Sequence, residues 1–244
     1  MMRDILVTND DGYNSLGIRL LTAKLAKYGK ITVVAPHRHM SGASVSRVSW
    51  HETVVHQHED NIYSVDGTPA DAVSFALHGL KLKPKLVVSG INNGLNLGSD
   101  TVYSGTVGAC MEALKHGLPA IAFSADFNHF EPADKEFDKV MEFILSNELI
   151  SHKYLLNVNF ISRNYETSKG ILITDLGFRI EDNYYIKTEN GSFQNRRRIG
   201  KGKPQSGTDL FAEAFGYISI TPLKFANQTP EGLKELKDKV NQIE

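Results

Sequence analysis

The sequence predicts an α/β protein with a Rossmann-like, mostly parallel sheet flanked by helices, a C-terminal β-hairpin extension and a terminal helix. Three observations carry this. The apolar runs at residues 5–7, 31–35, 86–88 and 120–123 lack polar alternation, as strands buried on both faces do. Amphipathic stretches with helical spacing lie between them. A strand, a helix and a strand within the first ~35 residues make a βαβ unit, which implies parallel strands and right-handed crossovers.

Taken in order, Ile5, Leu6 and Val7 form the first strand, which empties into the polar loop Thr8, Asn9, Asp10, Asp11 and Gly12. From Gly17, the residues Ile18, Leu21, Leu25 and Tyr28 recur at three- and four-residue spacing, and Gly29 reads as the stop of that helix. After the strand at 31–35, two exposed strands are expected around Val54 and Tyr63. Thr68, Pro69 and Asp71 then read as the cap and first turn of a helix through Leu80. The strand at 86–88 opens into a second polar loop, 89–98. A helix from about Thr106 stops at Gly117 before Pro119, and the strand at 120–123 follows. Residues 133–147 predict a helix with Phe137, Val140, Met141, Ile144 and Leu145 on one face. Beyond Lys153 the pattern changes to strands at 155–160 and 171–174, a long hairpin within 177–202, a strand at 217–221 and a polar helix at 231–243. The chain is read as one domain over 1–244, with a protruding hairpin at 175–205 and a helix at 224–244 available for assembly.

Composition narrows the function. Of the 244 residues, 41% are hydrophobic and 23% charged, with a formal net charge of -1, so no global field points to nucleic acid or to a membrane surface. The cluster Arg196, Arg197, Arg198, Lys201 and Lys203 reads as a solvated loop, with a phosphate or partner contact as the alternative. Cys110 is the single cysteine, so nothing argues for an oxidising compartment. The N-terminus lacks the pattern of a signal peptide, and no apolar stretch approaches the ~18 residues of a membrane span. The expected compartment is the cytoplasm.

In an open parallel sheet, ligands bind where loops converge beyond the carboxyl ends of the strands. The first such loop holds Asp10 and Asp11, which can serve one centre because Gly12 places them in a turn rather than on opposite faces of a strand. Loop 37–44 contributes Ser41, and the third loop Asn92, Asn93 and Asn96. Carboxylate, hydroxyl and amide oxygens without clustered cysteines suit a hard cation such as magnesium or manganese. The alternative is that Asp10 and Asp11 are turn and capping residues. The stretch 96–108 places Ser104, Gly105 and Thr106 at a helix start, where free N–H groups and the helix dipole favour an anion. It is not a Walker loop, and an ordinary serine-capped helix is the alternative.

These segments together resemble the SurE survival proteins, which are metal-dependent 5′-nucleotidases. The residues that carry the resemblance are Asn9-Asp10-Asp11-Gly12, Ala35-Pro36 leading to Ser41-Gly42-Ala43-Ser44, Gly67-Thr68-Pro69-Ala70-Asp71, Ser89-Gly90-Ile91-Asn92, Asn96-Leu97-Gly98 and Tyr103-Ser104-Gly105-Thr106-Val107. Gly207-Thr208-Asp209 and the run from Gly216 to Leu223 extend the similarity over nearly the whole chain. The resemblance implies one divalent cation, Mg2+ or Mn2+, held by Asp10, Asp11, Ser41 and Asn92, with Asn9, Asn96, Ser104, Gly105 and Thr106 on the phosphate side and Asp10 and Asp11 as the catalytic pair. It also implies a homodimer or homotetramer built through the C-terminal region. Two positions depart from the family pattern: Cys110 stands where a small residue is expected, and Phe160-Ile161 where a proline is expected.

The implied reaction is hydrolysis of nucleoside 5′-monophosphates to nucleoside and phosphate, with 3′-nucleotides and short polyphosphate as further candidate substrates. A non-catalytic nucleotide- or metal-binding module is the alternative. A haloacid-dehalogenase mechanism needs a second Asp two residues after the first, where Gly12 or Tyr13 stands. A dinucleotide oxidoreductase needs a Gly-x-Gly-x-x-Gly loop after the first strand, which is lacking. His51, His56 and His58 read as a solvated strand face, and His37 and His39 as candidates for substrate contact or proton transfer. Trp50 reads as packing, with base stacking as the alternative.

Overall fold

The first strand lies in the middle of the sheet, and its position fixes where the polar loops meet. The computed structural model describes residues 3–48, 50, 52–179, 181–199 and 203–224. The helix expected at 224–244 falls almost entirely outside the described residues, as do His51 and Lys201.

Element order is β1 (Arg3–Thr8), α1 (Leu16–Leu25), β2 (Gly29–Pro36), β3 (Val55–Glu59), β4 (Ile62–Val65), α2 (Pro69–His78), β5 (Leu86–Asn93), a 3-10 turn (Gly98–Val102), α3 (Gly105–Lys115), β6 (Ala120–Ala125), α4 (Glu131–Ser146), β7 (Leu155–Asn159), β8 (Ile171–Ile173), β9 (Glu181–Lys187), β10 (Phe193–Ile199), α5 (Asp209–Phe215) and β11 (Ile218–Leu223). One nine-stranded sheet runs β3-β4-β2-β1-β5-β6-β7-β11-β8, and β9 and β10 pair with each other in a second sheet. Strands β4, β2, β1, β5, β6 and β7 are parallel; β3 and β11 run antiparallel to their neighbours β4 and β7. From β1 the chain moves outward to β2 and later returns to the other side at β5. That reversal opens a crevice beyond the carboxyl ends of β1 and β5.

Both faces of the sheet are covered. Ile5, Val7, Val33 and Val88 pack with Ile18, Leu21 and Leu25 of α1 and with Phe137, Val140 and Met141 of α4. Leu6, Val34 and Val87 pack on the other face with Val73 and Ala76 of α2 and with Val107, Cys110 and Ala113 of α3. Burial on both sides explains why these strands read as unbroken apolar runs. Cys110 occupies the small-residue position as a fully buried thiol, and desolvation drives its pKa far above the ordinary range.

Several boundaries differ from the sequence reading. Gly29 opens β2 rather than closing α1, which ends at Leu25. Helix α2 ends at His78, short of Leu80. The strand predicted at 86–88 continues to Asn93, so residues 89–93 are strand rather than loop. Gly90 makes this possible: a Cβ there would lie 2.3 Å from the Phe123 carbonyl oxygen, and the pairing with β6 shifts register between Ser89 and Asn92. Leu145 is 37% exposed and falls off the apolar face of α4. Helix α5 carries no strong periodic signal and is absent from the sequence reading. It is set instead by the cap Thr208, whose hydroxyl accepts from Phe211 N, and by Gly216 in the left-handed region. Among the described residues no helix is long and apolar enough to cross a membrane.

Candidate active site

Asn9 closes the β1–α1 loop. Its Nδ2 donates to the Gly12 carbonyl at 2.9 Å and to Ser15 Oγ at 2.8 Å, and its Oδ1 accepts from Gly12 N at 3.2 Å. Gly12 takes φ 103°, which lets the chain reverse directly after the two acids. The amide of Asn9, expected on the phosphate side, is thus engaged in shaping the loop that presents Asp10 and Asp11.

Asp10 is 3% exposed and Asp11 slightly more open. Thr106 Oγ1 donates to Asp10 Oδ1 at 2.5 Å, and Met40 N donates to the Asp10 carbonyl at 2.7 Å. Asp11 turns the other way: its Oδ2 accepts from Asn93 N at 3.0 Å, and its Oδ1 lies 3.2 Å from His39 Nδ1. The Asp10 carboxyl titrates at about 6. Burial is the largest cause, the neighbouring Asp11 charge also raises it, and the Thr106 hydrogen bond and His39 oppose.

Helix α3 begins against this loop. Ser104 caps it by accepting from Val107 N at 3.1 Å. A Cβ on Gly105 would stand 2.8 Å from Asp10 Cβ, so the helix start and the carboxylate are in direct contact. Glycine at Gly108 serves a second close approach, since a Cβ there would sit 2.0 Å from the Ser44 carbonyl oxygen. The 41–48 loop is held here by Ser44, whose N donates to the Tyr103 carbonyl at 3.0 Å and whose hydroxyl donates to the Val102 carbonyl at 2.7 Å. Ser41 lies exposed in the turn that follows Met40.

Asn92 Nδ2 donates to the Gly94 carbonyl at 2.7 Å. The buried Asn96 is tied to β6 and β7: its N donates to Asn159 Oδ1, its carbonyl accepts from Asn157 and Asn159, and its Nδ2 donates to Ser124 Oγ at 2.8 Å. The structure therefore brings Asp10, Gly105 and Thr106 into contact and sets the Ser41 turn and β5 beside them.

Asn93 and Ser44 stand in loops that the sequence singles out, though the backbone contacts they make there do not show in it, and the β7 pair Asn157 and Asn159 escapes the reading of the site altogether. The β7 pair carried a signal, two amides in an otherwise apolar strand, but what they bind lies about sixty positions away. Among the strand histidines, His56 and His58 are exposed as expected, yet both rings have aromatic neighbours. His58 stacks on Tyr13 at 4.0 Å, and both His58 Nε2 and His37 Nδ1 meet Ser64 Oγ. Trp50 departs from the packing expectation, being 94% exposed.

The donor set fits a divalent cation. Two adjacent carboxylates, one of them desolvated, have the Thr106 hydroxyl, the Asn93 N–H and His39 as partners, and a cation would offset their mutual repulsion. Among the described residues no three His, Cys, Asp or Glu side chains gather as ligands, and the Ser41 hydroxyl and Asn92 amide would add neutral oxygens of the kind a hard ion takes.

The family model for survival protein SurE matches residues 5–183. A 5′-nucleotidase SurE of Vibrio cholerae serotype O1 is 42% identical over 97% of this chain and 99% of its own, and one of Actinobacillus succinogenes is 41% identical over 91% and 92%. The crystal structure of the SurE protein of Aquifex aeolicus superposes with a TM-score of 0.83 at 36% identity, covering 97% of this chain and 99% of that one. With these similarities running through the loops just described, the chain belongs to the SurE family.

Proposed function

We propose that this chain is a 5′-nucleotidase that hydrolyses nucleoside 5′-monophosphates to nucleoside and phosphate with one bound divalent cation, Mg2+ or Mn2+. The observation that carries the reading is the contact between Asp10 and the start of α3. An acidic, desolvated centre and an anion-favouring helix end meet there. The 5′-nucleotidase names of the relatives support the substrate class.

Asp10, Asp11, the Ser41 hydroxyl and the Asn92 amide oxygen would hold the cation. When bound, it would supply charge neutralisation, a Lewis acid for the phosphoryl group and acidified water. The remaining work belongs to the chain. The first-turn N–H groups of α3 at Gly105 and Thr106 have no acceptor within their helix and point at its N-terminal end, where phosphoryl oxygens gain most. Thr106 holds Asp10 in one rotamer through its hydroxyl, and Asn93 N–H does the same for Asp11. Both acids are oriented before substrate arrives, which lowers the reorganisation cost of the transition state.

Hydrolysis of 3′-nucleotides and short polyphosphate would use the same centre, since neither acid nor the helix start reads the leaving group. Assembly as a homodimer or homotetramer through the hairpin is supported by Tyr185 and Phe193, which stand exposed on β9 and β10.

The test is phosphate release from a panel of nucleoside 5′-monophosphates, with added magnesium, manganese or chelator. Release that stops on chelation and returns with metal is the expected result. Nucleotide binding without any release would instead favour a non-catalytic nucleotide-binding module.

A further inference from the structure

The turn at Gly98–Val102 connects the site to distant parts of the sequence. Upstream, Asn96 is tied to β7. Downstream, Val102 and Tyr103 hold Ser44 of the Ser41 loop, and Ser104 starts α3. A shift of this turn would therefore move both the candidate anion site and one wall of the candidate metal site.

The turn itself is held from the C-terminal part of the chain. Asp209, fully buried at the start of α5, accepts from Gly98 N at 2.7 Å with one carboxylate oxygen, and from Gly177 N at 2.8 Å and Leu210 N at 2.9 Å with the other. Gly98 and Gly177 approach so closely that a Cβ on Gly98 would lie 2.8 Å from the Gly177 carbonyl oxygen. Two residues on, the same strands of chain are pinned again. Arg179 N donates to Ser99 Oγ at 3.2 Å, Ser99 Oγ donates back to the Arg179 carbonyl at 3.3 Å, and the Arg179 guanidinium lies 3.4 Å from Asp100 Oδ2.

We propose that Asp209 is a positioning residue for the reaction: it clasps the Gly98–Val102 turn and so holds the anion-binding start at Ser104–Thr106 in register with Asp10. A buried carboxylate is costly to desolvate, and three charge-assisted N–H bonds offset that cost only in one arrangement of the segments that supply them. Two of those segments are the site turn and the stem below the hairpin, 175–179. Asp209 thereby makes the geometry of the anion site depend on where the hairpin stem sits.

The inference rests on the nucleotidase reading only for identifying the anion as phosphate, so the test separates binding from turnover. Asp209→Asn keeps the shape but replaces one acceptor oxygen with an N–H2 that faces a backbone donor. Binding of inorganic phosphate is measured by calorimetry on the manganese-loaded protein, and KM and kcat are measured on AMP. The expected result is a folded variant whose phosphate dissociation constant and KM rise about tenfold while kcat changes less than about threefold. A folded Asp209→Asn protein with wild-type phosphate affinity and KM overturns the proposal, even if its melting temperature falls. If that variant does not fold, Ser99→Ala/Arg179→Ala, which releases the same turn at its more open side, decides in the same way. Wild-type protein that binds phosphate but releases none from AMP overturns the nucleotidase reading, and the binding comparison for Asp209→Asn still stands.

Discussion

The hydroxyl of Thr106 donates to Asp10 Oδ1 at 2.5 Å, joining residues 96 positions apart in sequence. This bond ties the start of α3 to the buried carboxylate of the β1 loop. Thr106→Val keeps the shape and removes the donor, leaving a buried acceptor without it at a cost of about 1–3 kcal/mol. The variant should melt lower and lose at least about tenfold in kcat/KM, whereas Thr106→Ser should retain most of both. Thermal melting and phosphate release from AMP check this, and a fully active Thr106→Val would detach the bond from function.

Asp10 should show the stability–function conflict of a functional acid. Its folded-state pKa of about 6 lies above the ordinary aspartate value of 3.8, so ionising it in the metal-free fold opposes folding. The sign follows: the folded state binds the proton more tightly, so stability falls as pH rises from about 4 to about 6 and stays lower beyond, by roughly 3 kcal/mol at most. Metal-free Asp10→Asn should therefore melt at or above wild type at pH 7.5, with the gap closing toward pH 4. Its turnover with metal should fall by about three orders of magnitude or more. A variant that is less stable than wild type at pH 7.5 and equally active would contradict both halves.

Gly105→Ala and Gly108→Ala should separate two close approaches. The first drives a methyl to 2.8 Å from Asp10 Cβ, a side chain, and the second to 2.0 Å from the Ser44 carbonyl oxygen, a backbone atom. Overpacking costs about 1–3 kcal/mol and more where backbone must move, so Gly108→Ala should be the less stable protein. Gly105→Ala should fold but lose activity, because the methyl displaces the carboxylate itself. Denaturant unfolding with parallel assays ranks the two.

Arg47 anchors the loop that carries Ser41. Its guanidinium reaches Ser74 Oγ at 2.9 Å and the buried Glu112 at 3.3 Å. Arg47→Ala should destabilise by about 1–2 kcal/mol, less than a fully buried pair would, because Arg47 is partly exposed and Glu112 keeps His116 at 3.0 Å. Val48 N still donates to Asp71 and Thr68 still donates to the Ser46 carbonyl, so the loop should stay docked. A double-mutant cycle with Glu112→Gln should be less than additive, and additive losses would show that the pair does not interact.

Capping chemistry was readable in the chain because it is local. Thr68, Pro69 and Asp71 announced α2, and the structure has the full capping box. Ser104 announced α3 in the same way. What could not be read was the partner of a residue whose contact is made across the sheet. Asp209 stands out in the sequence only as part of the Gly207-Thr208-Asp209 resemblance, yet its carboxylate holds Gly98, 111 positions earlier. Residues 89–93 read as loop because asparagine and glycine are poor strand formers. Pairing with β6 overrides that preference, with Gly90 fitted against Phe123.

By itself the sequence determined the layered α/β architecture, since periodicity and caps depend on neighbours three or four positions away, and it picked out the loops that carry Asn9, Asp10, Asp11, Ser41 and Ser104. Only the tertiary structure decided which atoms of those loops face one another. It set Thr106 against Asp10, Asn93 against Asp11 and Asp209 against Gly98, because such distances follow from how strands stack and how closely glycine lets backbones approach, and no local pattern encodes them.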